Sequence, residues 1–137
     1  MPSEVFVRLL WAAAIIAAGL ALYRLGSFLI VNRAQSKVHS LNLIHPGKPA
    51  ILYFTTPDCA PCKTIQRPAL RTVQSRMGDG LQVIEVNAYE QPGLAKEWGV
   101  LSVPTTFIID ASGRPRHVNH GVTPADRLME QLKKFSN

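Results

Sequence analysis

The stretch Thr55-Thr56-Pro57-Asp58-Cys59-Ala60-Pro61-Cys62-Lys63 holds the chain's only two cysteines, spaced C-x-x-C. An apolar run, Ala50 to Phe54, precedes it, and a helix-like segment follows. A strand that turns into a helix at two cysteines has a use in redox chemistry. The helix N-terminus presents unpaired N–H groups and a partial positive charge. A thiolate at Cys59 is stabilised there, so its pKa should fall below that of a free thiol. Cys62, three residues on, shares a helical face with Cys59 and is placed to close a disulfide with it. Pro61 suits the first helical turn, where its missing N–H is no loss.

The same residues admit other chemistry. Cys59 and Cys62 with His117 and His120 supply two thiolates and two imidazoles, a donor set for zinc or copper. The separation between the pairs far exceeds finger spacing, which weighs against it. A redox-inert binding module is the third possibility. One C-x-x-C builds no disulfide framework and does not fix the redox compartment.

The segment resembles the active-site motif of the thioredoxin superfamily, often Trp-Cys-Gly-Pro-Cys-Lys. Ser102-Val103-Pro104-Thr105 resembles the family's cis-proline loop. The likeness extends from about residue 48 to 135. It implies an α/β fold with a mixed central sheet flanked by helices. It implies protein-disulfide oxidoreductase activity, with Cys59 as attacking and Cys62 as resolving cysteine and Ala60 and Pro61 between them. Val103, Pro104 and Thr105 become the substrate-docking loop, in which Val103 pairs with a substrate chain like a strand. No cofactor is implied beyond the redox-active disulfide; the partners are protein thiol or disulfide substrates and an unidentified electron donor. Ala-Pro between the cysteines lies closer to reductant patterns than to the Pro-His of strong oxidants, so a reductase is expected.

The departures from the family are specific. Tyr53 takes the place of a buried aspartate beneath the cysteines, and a phenol with a reference pKa of ~10 accepts protons poorly near neutrality. Glu85 aligns with a lysine on the neighbouring strand and is the candidate acceptor for the Cys62 proton. Asp58 replaces the tryptophan before the first cysteine, where it either opposes the thiolate or caps the helix. Pro68 falls one residue further from the second cysteine than the family's kinking proline.

The elements that must position these residues can be read in order. Ala50–Thr55 is continuous rather than alternating, as expected of a central strand buried on both faces. A helix over 64–77 should bury Ile65, Ala69, Leu70 and Val73. Leu81–Val86 is the next strand, Leu94–Trp98 a short helix stopped by Gly99. Thr105–Ile109 and Arg116–Asn119 form a hairpin around Asp110-Ala111-Ser112-Gly113. Thr123 is the expected cap of a last amphipathic helix burying Leu128 and Leu132. Trp98 is a core residue by expectation.

Before this domain, residues 5–31 are almost all apolar, with Arg8 and Arg24 as interruptions. Leu9–Leu22 alone gives about 21 Å of helix at ~1.5 Å per residue, short of a ~30 Å hydrocarbon core. One transmembrane helix over roughly 8–31 is expected, with Trp11 inside it and Arg24 snorkelling to the interface; an arginine at the bilayer centre would cost about 2.5–3.5 kcal/mol. A cleaved signal peptide ending near Gly19–Ala21 competes with this; the apolar run Phe28–Val31 beyond the cut favours an anchor. The organisation is then an anchor over 1–32, a connector over 33–47 containing His39 and His45, and a thioredoxin-like domain over 48–137. The expected location is the cell membrane, in a single pass. Arg24, Arg33 and Lys37 favour a cytoplasmic domain by the positive-inside rule, whereas likeness to anchored bacterial members of the superfamily favours the outer side. The net charge of +6 comes without basic runs interleaved with aromatics, so nucleic-acid binding is not expected.

Overall fold

The computed structural model describes residues 2–35 and 43–136, with side chains over 3–32 and 43–136. His39, Lys37 and the rest of residues 36–42 of the expected connector lie outside the described residues, as does the Arg33 side chain. A long helix, α1 (Pro2–Gln35), comes first. Then follow β1 (Ala50–Thr55), a helix that starts at Ala60, passes through a π turn (Cys62–Gln66) and continues as α2 (Arg67–Met77), β2 (Gln82–Asn87), α3 (Pro92–Glu97), β3 (Thr105–Ile109), β4 (Pro115–His120) and α4 (Ala125–Phe135). The sheet runs β2-β1-β3-β4, with β2 parallel to β1 and β3 antiparallel to both β1 and β4. This is the expected mixed sheet flanked by helices.

β1 is central, and all six of its residues are buried. Successive side chains on a strand point to opposite faces, so the continuous apolar run feeds two cores. Ala50, Leu52 and Phe54 join Trp98, Phe107, Ile109 and Val118 on one face. Ile51 and Tyr53 join Leu70, Val73, Ile108, Leu128 and Leu132, with both cysteines, on the other. The first core centres on an aromatic trio, with the Trp98 and Phe107 rings 4.9 Å apart and edge-to-face. Trp98 is the core residue expected, and Leu128 and Leu132 face inward as expected.

Where α1 goes was not legible in the sequence. It runs beyond the expected end of the anchor at residue 32, and Ile30 and Val31 pack against the first core. Gly99, at φ +69°, closes α3, and a Cβ there would meet Ile30 at 3.4 Å. Glycine thus serves both the left-handed cap and the approach of α1. Further back, the Tyr23 ring lies edge-on to His120 of β4, 6.4 Å away. Ile30 and Val31 therefore have a use in packing on the domain, apart from any bilayer, while Phe28 and Leu29 remain exposed.

The hairpin turn forms as expected. The Asp110 carboxylate accepts hydrogen bonds from the Ser112 hydroxyl and from the Ser112 and Arg114 N–H groups. Burial opposes its ionisation, but these bonds and the Arg116 charge outweigh that and hold its pKa below the usual carboxylate value. Thr123 is not the cap of α4, which begins after Pro124 without a side-chain cap. Its backbone is instead held by Gln66, whose amide donates to Thr123 O (3.1 Å) and accepts from Thr123 N (2.8 Å).

Candidate functional site

The site sits where β1 gives way to a helix. The Lys63 N–H donates to Cys59 O at 3.3 Å, the first bond of that helix, so Cys59 stands at its N-cap. An N-cap side chain is aimed at the orphan N–H groups of the first turn. Here that side chain is a sulfur, and the Cys62 N–H donates to Cys59 Sγ at 3.3 Å. Cys59 and Cys62 are joined as a disulfide, their Cα atoms 5.3 Å apart, within the span such bridges take. Cys59 retains 9 % exposure and Cys62 none. Ala60, Pro61 and Asp58 are exposed around them.

The helix then departs from expectation in an instructive way. Arg67 N–H bonds to Cys62 O, five residues back, closing the π turn. Pro68 follows directly, with no N–H to lose at the start of α2. A π turn absorbs one extra residue in a helix, and Pro68 stands one residue later than in the family motif. The extra residue rotates the following side chains. Ile65, expected inside, is 54 % exposed; Gln66 is fully buried in its place, while Leu70 and Val73 remain in the core.

Beneath the cysteines a row of side chains crosses the sheet in register: Glu85, Tyr53, Thr106 and Asn119. Tyr53 is completely buried, and its hydroxyl donates to Cys62 O at 3.3 Å. Burial raises the phenol's pKa above its ordinary value of 10.0, so it stays protonated through the neutral range. Thr106 and Asn119 are also buried, and Asn119 exchanges two 2.8 Å hydrogen bonds with Gln131 of α4. At the open end of the row the Glu85 carboxylate is 45 % exposed and bonded to Arg67 at 2.7 Å. Neither Gln66, Arg67 nor the Asn119–Gln131 pair was singled out by the sequence. Polar residues inside amphipathic segments carry no signal of burial until the register is known.

The Val103–Pro104 bond is cis. Val103 is half-buried and packs against both cores, including the cluster that holds the cysteines. Thr105 is fully buried, with its hydroxyl donating to Ser102 O at 2.7 Å. It braces the loop from inside, so of the three expected docking residues Val103 is the one with accessible surface. His117 and His120 lie on β4, His117 stacked on Phe135 and His120 against Tyr23. Among the described residues no three potential metal ligands come together.

A profile of the thioredoxin family, described simply as thioredoxin, matches residues 30–134. The chain belongs to the thioredoxin family. It is 30% identical to a chloroplastic thioredoxin Y of rice, Oryza sativa subsp. japonica, over 89% of this chain and 75% of that one. It is 32% identical to a thioredoxin of Bacillus subtilis over 59% of this chain and 76% of that one. Among solved structures, a malaria-parasite thioredoxin-2 superposes with a TM-score of 0.63 at 19% identity, over 69% of this chain and 89% of its own. Family membership and the bonded Cys59–Cys62 pair at a helix N-cap make this chain a thiol–disulfide oxidoreductase.

Proposed function

We propose that the chain is a membrane-anchored protein-disulfide reductase whose only electron carrier is the Cys59–Cys62 couple. The observation that carries this reading is the Cys62 N–H donated to Cys59 Sγ at the N-cap. The same donor would meet the thiolate after reduction, and a charged acceptor makes that bond stronger. In the reduced protein the Cys59 thiolate attacks one sulfur of a substrate disulfide. The substrate's S–S bond breaks, and its other sulfur leaves as a thiolate that takes up a proton. Cys62 then loses its proton and attacks Cys59 Sγ, the mixed disulfide breaks, and the second substrate sulfur leaves with its electron pair. The product is the oxidised state described above. A dithiol donor outside this chain returns two electrons and two protons.

Val103 supports the docking role, presenting its backbone beside Pro104 while Thr105 holds the loop from below. We assign Glu85 as the acceptor of the Cys62 proton, acting through solvent from the rim. Arg67 competes for the same carboxylate. The absence of a histidine between the cysteines supports the reductive direction.

Anchoring is supported by α1. Its stretch from Ser3 to Asn32 is long and apolar enough to cross a bilayer, and the large apolar side chains Val5, Leu9, Trp11, Ile15 and Leu20 are exposed. The domain-contacting part begins at Tyr23, so we place the span at residues 3–22, about 30 Å of helix at ~1.5 Å per residue, with Arg24 beyond it. Insulin reduction by the full chain tests the activity. Cys59→Ser should abolish turnover, and Cys62→Ser should trap substrate as a mixed disulfide on Cys59. Turnover by Cys59→Ser would refute the reading.

A further inference from the structure

Among the described residues a cavity lies where β4 meets α1, reaching the Thr123 segment that Gln66 holds. It has a volume of about 670 Å³ and lies between α1, β4 and the start of α4. Arg24 comes from α1, Arg116, His117 and His120 from β4, and Arg127 from α4; Tyr23 closes one side. Among the described residues no aspartate or glutamate lines it. Arg116 has a distant carboxylate neighbour, Asp110, at 3.7 Å. Among the described residues neither Arg24 nor Arg127 is within ion-pair distance of a carboxylate. Burial, against a hydrogen bond with Asn119 that favours the charged form and with smaller help from Arg127, Lys134 and His120, holds the His117 pKa below its ordinary value. The wall therefore carries two arginines, Arg24 and Arg127, without a carboxylate partner among the described residues, beside an Arg116 that Asp110 partly compensates.

Its height on the molecule matters as much as its charge. If residues 3–22 span the hydrocarbon, α1 leaves it at Tyr23 and Arg24, which begin the cavity's helical wall; Ser27, Phe28 and Val31 continue it. A cavity at that level opens onto the headgroup layer. Arginine is the side chain best suited to phosphate, through paired N–H donors in a fixed plane. A tyrosine beside it is a residue type typical of membrane interfaces.

We propose that this cavity binds the phosphate of an anionic phospholipid, held by Arg24, Arg116 and Arg127, and that the bound headgroup fixes the domain against the membrane surface. The proposal rests on the reading of α1 as a spanning helix. A headgroup there ties α1 to β4 and α4 at once, so the orientation of the thiol site relative to the bilayer follows from it.

The test uses the full chain in nanodiscs of phosphatidylcholine, with or without phosphatidylglycerol, and native mass spectrometry to count retained lipid. Preferential retention of a single phosphatidylglycerol is expected. Arg24→Gln and Arg127→Gln should each weaken it about fivefold, the factor expected for one basic group near an anionic surface, with insulin reduction unchanged. Equal retention of both lipids, or retention undiminished in the two variants, overturns the proposal. Inorganic phosphate is titrated separately into phosphatidylcholine discs while the imidazole resonances of His117 and His120 are followed. Saturable shifts lost in the variants would reassign the cavity to a soluble anion and overturn the lipid assignment. Failure of the anchor reads differently: the chain then leaves the membrane on carbonate extraction, whereas failure of the headgroup site leaves it in the pellet.

Discussion

At Cys59 one sulfur does the work that an oxygen does at most helix N-caps, accepting an N–H from the first turn while remaining the more exposed of the pair. The groups around it divide the proton work unevenly. Tyr53 lies directly below but is held protonated by burial, so it offers a hydrogen bond to Cys62 O and no basic site near neutrality. Glu85 is the ionisable neighbour in the same row, with Arg67 on its carboxylate. Glu85→Gln should therefore slow resolution of the mixed disulfide near neutral pH, measured by single-turnover quenching across a pH series. A rate unchanged at every pH would remove Glu85 from the mechanism. The two cysteines stand out by their spacing, whereas Val103, Pro104, Tyr53 and Glu85 are named only through the resemblance to the family. The Arg67 partner could not be named either way, since an arginine one turn past a motif has no address until the strand beside it is known.

At the scale of the element, the helix after the cysteines shows how one residue changes a face. The π turn at Cys62–Gln66 moves Ile65 out and Gln66 in. Simple 3.6-residue periodicity places Leu70 and Val73 correctly because they lie beyond the turn, and fails at Ile65 because it lies within it. The strands were legible for a firmer reason: β1 and β3 are buried on both faces, and continuous apolar runs of that length have few other uses. The Asn119–Gln131 pair, which joins β4 to α4 inside the second core, was invisible to pattern reasoning. Gln131→Leu leaves Asn119 without the 2.8 Å bonds it now makes. The Asn119 amide nitrogen still reaches the Thr106 hydroxyl at 3.2 Å, so the loss comes from the unsatisfied carbonyl oxygen; about 1–3 kcal/mol is expected, read from the urea midpoint with an unchanged slope. Full stability in that variant would show the pair to be dispensable.

For the whole molecule, the long first helix joins two functions that the sequence runs together. Residues up to Leu22 present apolar side chains to their surroundings, while Ile30 and Val31 complete the core of the domain. Composition alone cannot divide the run, because a bilayer and a protein interior select the same residue types. Gly99 marks the division from the other side, since its position answers both the α3 cap and the Ile30 contact. Gly99→Ala should cost about 1 kcal/mol or more through its left-handed backbone, with a lowered thermal midpoint and reductase activity retained at low temperature. An unchanged midpoint would mean that residue 99 does not hold a left-handed backbone. The central claim, that the helix N-terminus makes Cys59 a reactive thiolate, is tested most directly by the rate of alkylation of the reduced protein as a function of pH, with the modified cysteine identified by peptide mass. Cys59 should react first, with an apparent pKa below the ~8.5 of a free thiol, while Cys62 stays protected; preferential modification of Cys62, or a Cys59 that titrates at or above the free value, would contradict the account.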